Sequence, residues 1–283
     1  WSEHPDRDEA WADTERSRIG EERFRREHEC EFLIFDETLI SSLTLADMEG
    51  VPPVETTGQV RWFKRPTPGM TYLVSLDPSM GTGGDYAAIQ IFELPTFEQI
   101  GEWHHNMTPM NKQVQILQGI NKHIHDTIIE RDSSASPQIF YSMENNTIGE
   151  AALMRVMDIG EENIMGMFLS EPIRKGHRRK FRRGFNTTAK HKIDACTKFK
   201  ELVEGGKMKI NSQLLISEMK DFVATGLSYK AKPGQHDDLV SSCLLMTRMM
   251  KVLADFDPKI FEKWTDRTSE LTTPMPIFGN FYG

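Results

Sequence analysis

The sequence is poor in cysteine: Cys30, Cys196 and Cys243 are the only three among 283 residues. An odd, widely spaced set of three supplies neither a disulfide framework nor a cysteine-rich zinc site, and it fits a reducing compartment. Long apolar runs are also missing. None approaches the roughly 20 residues a membrane helix needs, and the mean hydropathy is −0.48. No Lys-Ser or Lys-Thr follows the glycines of the turn Ser79–Gly84, so a Walker-type phosphate loop is absent and no ATPase activity is expected. Internal repeats and low-complexity tracts are lacking. The chain opens at Trp1 without an apolar leader, which reads as a piece of a longer protein. An excess of basic charge is lacking too. Against 42 Asp and Glu stand 34 Lys and Arg, a net charge of −8 that argues against a general polyanion binder.

What remains is an ordinary globular composition. The length allows one large domain, or a domain of about 200 residues with flanking pieces. Residues 1–50 begin with a charge-rich stretch of helical spacing and then a short apolar run, Glu31–Phe35. Residues 51–69 hold Pro52, Pro53, Pro66, Pro68 and Gly69 and read as a linker and domain entry. From residue 70 to 256 strands and helices alternate. Thr71–Leu76, Ala87–Leu94, Glu98–His105 and Gln138–Met143 read as strands, and Met208–Ile210 as a short one. Asn111–Glu130, Ile148–Met157, Lys190–Glu204, Leu214–Phe222 and a long stretch from Asp237 to Ala254 have helical spacing. This order predicts an α/β fold, a mixed sheet with helices on both faces. Residues 257–283, rich in Pro and Gly, read as an exposed tail.

Three acidic positions stand where apolar elements end. Asp77 closes the first strand of this series, Glu144 closes the fourth, and Asp237-Asp238 open the last helix. Functional residues of open α/β sheets gather beyond the carboxyl ends of strands. If the first and fourth strands are parallel neighbours, Asp77 and Glu144 lie side by side. Clustered carboxylates repel one another and call for protons or divalent cations. An all-oxygen donor set selects magnesium or manganese over zinc. Two such ions about 4 Å apart activate water and stabilise a leaving oxygen in phosphodiester hydrolysis. Taken singly, an Asp after a strand is a turn former and an Asp at a helix start a cap; the combination carries the argument. On a helical wheel Asp238 shares the apolar face of the last helix and Asp237 the polar one, so Asp238 has the better bearing on a sheltered site.

A second signal is a basic stretch on an acidic chain. Residues 174–192 hold Arg174, Lys175, Arg178, Arg179, Lys180, Arg182, Arg183, Lys190 and Lys192, with no Asp or Glu. Such a stretch suits sequence-independent contact with the phosphates of DNA. His104-His105 and His123/His125 read as core or surface residues, since i and i+2 on a helix face different ways.

The ordered segments LVSLDPSMGTGGDY, IFYSMENNTIG, RRGFNTTAKHK and GQHDDLVSS resemble the large terminase subunit of tailed bacteriophages, of the myovirus type. The resemblance spans about residues 60–255 and implies a ribonuclease H-like nuclease domain. It implies that residues 1–50 close the ATPase half and connect it to the nuclease. By the same resemblance Asp77 is the central metal ligand and Glu144 the second. Asp237 and Asp238 form the acidic pair of the last helix, and Asp85 is an accessory acid in the glycine turn. The implied activity is magnesium- or manganese-dependent cutting of concatemeric double-stranded viral DNA as packaging starts and ends. The implied partners are double-stranded DNA, the portal protein, the small terminase subunit and the ATPase half. The implied location is the host cytoplasm, transiently at the procapsid portal and not in the mature virion. Two other readings stay open: another nuclease of the same fold, such as a junction resolvase, and a non-catalytic DNA- or portal-binding module.

Overall fold

The computed structural model describes residues 7–29, 37–172 and 183–256. The apolar run Glu31–Phe35, most of the basic stretch and the tail 257–283 lie outside the described residues. Helices α1 (Glu9–Ile19) and α2 (Glu21–His28) pack on each other through the rings of Trp11, Phe24 and His28. A short helix α3 (Ser42–Asp47) follows, then a seven-stranded sheet built of β1 (Glu55–Thr57), β2 (Val60–Trp62), β3 (Thr71–Asp77), β4 (Ala87–Leu94), β5 (Glu98–His105), β6 (Gln138–Met143) and β7 (Met167–Phe168). Between and after the strands come α4 (Met110–Arg131), α5 (Thr147–Ile159), α6 (Ala189–Glu204), α7 (Gln213–Asp221) and α8 (Asp238–Phe256). A separate hairpin of β8 (Phe222–Thr225) and β9 (Ser228–Ala231) lies between α7 and α8.

The order across the sheet is β1-β2-β5-β4-β3-β6-β7. β3, β4 and β5 form an antiparallel meander, while β6 and β7 run parallel to β3 after helical crossovers. Parallel neighbours need such crossovers, because a tight turn cannot return the chain in the same direction. The central strands are buried on both sides, and their side chains alternate between two cores. Tyr72, Val74 and Leu76 of β3 face α4 and α5, together with Ile139, Tyr141 and Met143 of β6. Leu73 of β3 and Phe140 of β6 face the opposite side, where α6, α7 and α8 pack. The expected mixed α/β sheet with helices on both faces is what the chain forms, and β4 and β5 keep their expected bounds.

Three segments depart from expectation. Residues 51–69 are not a linker: β1 and β2 form a hairpin there, and β2 pairs with β5. The prolines bracket this hairpin instead of dissolving it, and Val60, Trp62 and Phe63 between them are buried. Residues 37–50 do not stand apart as a connector. Leu39, Ile40 and Leu45 sit in the core under α8, and the Leu39 N–H donates to the Phe222 carbonyl at 3.0 Å. Met208–Ile210 makes only an isolated bridge, Glu98 to Lys209, at the start of β5, short of the residues that pair with β2.

Trp62 tests the first correction. It is 1% exposed and lies against His123 of α4, with ring centroids 4.6 Å apart. Trp62→Ala should cost about 3–5 kcal/mol of unfolding free energy in urea denaturation, the loss seen for a core aromatic. A loss of about 0.5 kcal/mol or less, as at a surface linker, would contradict its place in the sheet.

Candidate active site

Two strands and one helix build the site. Side chains alternate along a strand, so Ser75 and Asp77 of β3 point to the same face. That face is the one α8 covers. Ser75 Oγ donates to the Ser242 carbonyl at 2.9 Å, and Ser242 Oγ donates to the Ser75 carbonyl at 3.0 Å. These two small residues let the helix come close to the strand. One helical turn before Ser242 stands Asp238, and two residues after Ser75 stands Asp77, so the serine contact sets the two acids in register.

Glu144 arrives from β6. The parallel pairing of β3 and β6 places Leu76 opposite Met143, and the Glu144 N–H reaches the Leu76 carbonyl at 3.3 Å. Asp77 and Glu144 then follow side by side, close enough for the charge of one to oppose that of the other. Next to Glu144, Asn146 caps α5 by accepting the Gly149 N–H at 2.7 Å, and its amide donates to Glu144 Oε2 at 3.2 Å. Gly149 is required here. A Cβ at that position would lie 1.8 Å from the Glu144 carbonyl oxygen, so only glycine lets α5 start this close to the acid.

Asp77, Glu144, Asp237 and Asp238 all gather at this end of the sheet. Burial, then the neighbouring Glu144, Asp238 and Asp237, hold the Asp77 carboxyl well above its usual range. Burial likewise pushes Asp238 up to about 6, against the opposing effect of the Tyr86 N–H. That N–H donates to Asp238 Oδ2 at 3.3 Å. Asp237 Oδ2 accepts from the Ala231 N–H of β9 at 3.3 Å and lies 3.9 Å from Lys192 Nζ. The fifth acid, Asp85, is exposed in the glycine turn, and its charge adds to the upward pressure on Asp238.

A cavity of about 110 Å³ opens between Asp77, Glu144, Lys192, Ser241, Leu244 and Arg248. Ser241, Leu244 and Arg248 are on the Asp237 side of α8. Leu245, on the Asp238 side, lines the cavity too, so both sides of the helix border the acids, and the Asp238 side chain is the more enclosed of the pair, 15% exposed against 27% for Asp237. Arg248 is ion-paired with Glu171, and its Nη1 donates to Thr187 Oγ1 at 2.8 Å.

The basic stretch divides. Arg174, Lys175, Arg178, Arg179, Lys180 and Arg182 lie outside the described residues. Arg183 is ion-paired with Glu161, and its carbonyl accepts from Asn145. Lys190 is exposed on the first turn of α6, and Lys192 enters the carboxylate cavity itself. Thr188 caps α6 and so aims that turn at the acids; its Oγ1 accepts the His191 N–H at 3.2 Å.

Sequence reasoning missed two supporting residues. Gln113, buried on α4, clamps the glycine turn: its Nε2 donates to the Ser79 carbonyl at 2.8 Å and to the Thr108 carbonyl at 2.7 Å. Gly81 in that turn has φ +67°, and a Cβ there would lie 2.1 Å from the Thr108 carbonyl oxygen. Glu218 of α7 is the other, a largely enclosed acid behind Asp238. Neither carries a signal in the sequence that separates it from the surface positions of its helix.

The donor set fits a hard divalent cation. It is all carboxylate, and two of its members are driven toward protonation by burial and by the neighbouring acids. Among the described residues no three His, Cys, Asp or Glu side chains already stand at ligating distance from one point. Asp237 and Asp238 are turned to the Ala231 and Tyr86 N–H groups, and ligation would draw them toward Asp77.

Residues 74–249 match the Terminase RNaseH-like domain family. The chain belongs to this family. The terminase RNase H-like fold is shared with solved structures at low sequence identity. One is the large terminase nuclease from thermophilic phage G20c with bound magnesium, at 17% identity and a TM-score of 0.55, covering 76% of this chain and 97% of that one. Another is the large terminase nuclease domain of Thermus phage P74-26, at 17% identity and a TM-score of 0.51, covering 71% and 90%. The G20c nuclease with bound cobalt aligns equally well, with a TM-score of 0.55, covering 76% and 97% at 17% identity.

The raised acids of this terminase domain make its stability pH-dependent. Folding favours the protonated forms of Asp77 and Asp238, so the folded chain holds protons that the unfolded chain releases. That stability is complete below the unfolded pKa near 4 and is lost as pH rises through the folded value, about 6 for Asp238. In EDTA Asp238→Asn should therefore melt higher than the native chain by an amount that grows from about pH 4 to pH 7 and reaches a few degrees at neutral pH. A difference that shrinks or reverses across this window would contradict the assignment.

Proposed function

We propose that this domain is a two-metal-ion endodeoxyribonuclease that cuts concatemeric double-stranded viral DNA at the start and end of genome packaging. The observation that carries the reading is the convergence of Asp77, Glu144, Asp237 and Asp238 at the carboxyl ends of two adjacent parallel strands. Family membership supports the setting in DNA packaging. The magnesium bound by the G20c nuclease supports the choice of cation.

Asp77, Glu144 and Asp238 are the residues that would hold magnesium or manganese, with Asp237 as a further ligand and Asp85 as an accessory one. When bound, the ions lower the pKa of a water and stabilise the leaving oxygen. The chain itself supplies orientation. Asn146 steadies the Glu144 carboxylate, and Lys192 places a positive charge on the cavity wall where a phosphate would approach. Basic residues at 174–183 would track the DNA backbone without reading sequence. The portal protein, the small terminase subunit and an ATPase half of the same protein are the proposed partners. The host cytoplasm, with transient residence at the procapsid portal, is the proposed location. Assignment to the myovirus type rests on the four sequence segments.

Supercoiled plasmid should be nicked and linearised with magnesium or manganese and left intact in EDTA. Asp77→Asn, Glu144→Gln and Asp238→Asn should abolish cutting while the chain still folds. Asp237→Asn should slow it by roughly 10- to 100-fold. Cutting at the native rate in any of the first three would sink the site assignment. Preference for an RNA–DNA hybrid or a four-way junction over plasmid would replace the packaging substrate. Neutralising Arg174, Arg178, Arg179 and Arg182 should flatten the log–log salt dependence of DNA binding by up to about 0.9 per lost phosphate contact. An unchanged slope would mean that the stretch faces something other than DNA.

A further inference from the structure

Helix α8 does not use its own cap. Asp237 holds the cap position, since its carbonyl accepts the Ser241 N–H at 2.7 Å. An aspartate there ordinarily turns its side chain back onto the N–H groups two and three residues further on. Those groups belong to Leu239 and Val240, and both donate instead to Glu218 Oε2 of α7, at 2.8 and 3.2 Å. The Asp237 carboxylate is thereby released and faces Ala231 and Lys192.

Glu218 is enclosed as well as bonded. Its side chain is 10% exposed, and its Oε1 lies 3.6 Å from His104 Nε2 at the end of β5. The His104 ring stacks on Tyr86 with centroids 4.1 Å apart, and the Tyr86 N–H is the one that holds Asp238. One carboxylate thus ties α7 and β5 to the turn that carries two of the four acids.

We propose that Glu218 is a positioning residue of the metal site: a borrowed helix cap that frees Asp237 to act as a ligand and fixes the bearing of Asp238. The proposal rests on the reading of the four carboxylates as metal ligands. Without Glu218, the Leu239 and Val240 N–H groups lose their acceptor where water is scarce. Asp237 is the adjacent side chain of the right length to take them, and in doing so it leaves the cluster.

The test is manganese titration of the 283-residue chain by calorimetry without DNA, beside thermal unfolding in EDTA. Glu218→Ala should weaken manganese binding by roughly 10- to 100-fold, while Glu218→Gln, which keeps an acceptor oxygen, should stay within about threefold. Asp237→Asn should weaken binding in the native chain and add no further loss once Glu218 is alanine. Should Glu218→Ala fail to fold, Glu218→Asp, too short by one methylene to reach both N–H groups, carries the same comparison. A purely structural cap would lower the melting temperature and leave manganese affinity unchanged, and that result overturns the proposal. Additive losses from Glu218→Ala and Asp237→Asn overturn it too. A native chain that binds no manganese overturns the metal-site reading itself, and this proposal with it.

Discussion

The reciprocal hydrogen bonds between Ser75 and Ser242 are the contact on which the site depends. Helix α8 has to lie close to β3, and only small side chains leave room for that approach. A serine pair also satisfies its own polar atoms inside the core, so closeness carries no desolvation penalty. Strand and helix periodicities then do the rest: a step of two along β3 reaches Asp77, and a step of four back along α8 reaches Asp238. A larger side chain at either serine would lift the helix and separate acids several residues away.

The same closeness concentrates negative charge. Asp77 and Asp238 are held toward protonation, and the described cations nearby are engaged: Arg248 with Glu171, Arg183 with Glu161. Lys192 alone among the described Lys and Arg residues of the basic stretch reaches the cavity, at 3.9 Å from Asp237. The domain thus holds its acids in a geometry unfavourable to them alone and favourable once positive charge arrives. Such a sacrifice of local stability is common at functional sites.

Much of this could be read from residue order, and the reason differs from element to element. β3, β4 and β6 are largely apolar runs of six to eight residues closed by turns or charges, β5 follows β4 after a short turn, and α4 repeats its apolar positions over 22 residues. Signals of that length survive local noise. The hairpins β1–β2 and β8–β9 have strands of three or four residues and gain their order from neighbours distant in sequence. The acids Asp77, Glu144, Asp237 and Asp238 were visible because each interrupts an apolar run at its end. Glu218 and Gln113 were not, because a single polar residue within an amphipathic helix looks like any surface position until the fold buries it.

The outer strands of the sheet have a further consequence. At one border stands β1, three residues long, and at the other β7, two residues long. An edge that short presents almost no row of free N–H and C=O groups, so it gives another chain little template on which to add a strand. Among the described residues the seven-stranded sheet therefore offers a neighbouring copy little edge for strand addition, and crowding many copies together carries small risk of fusion through it.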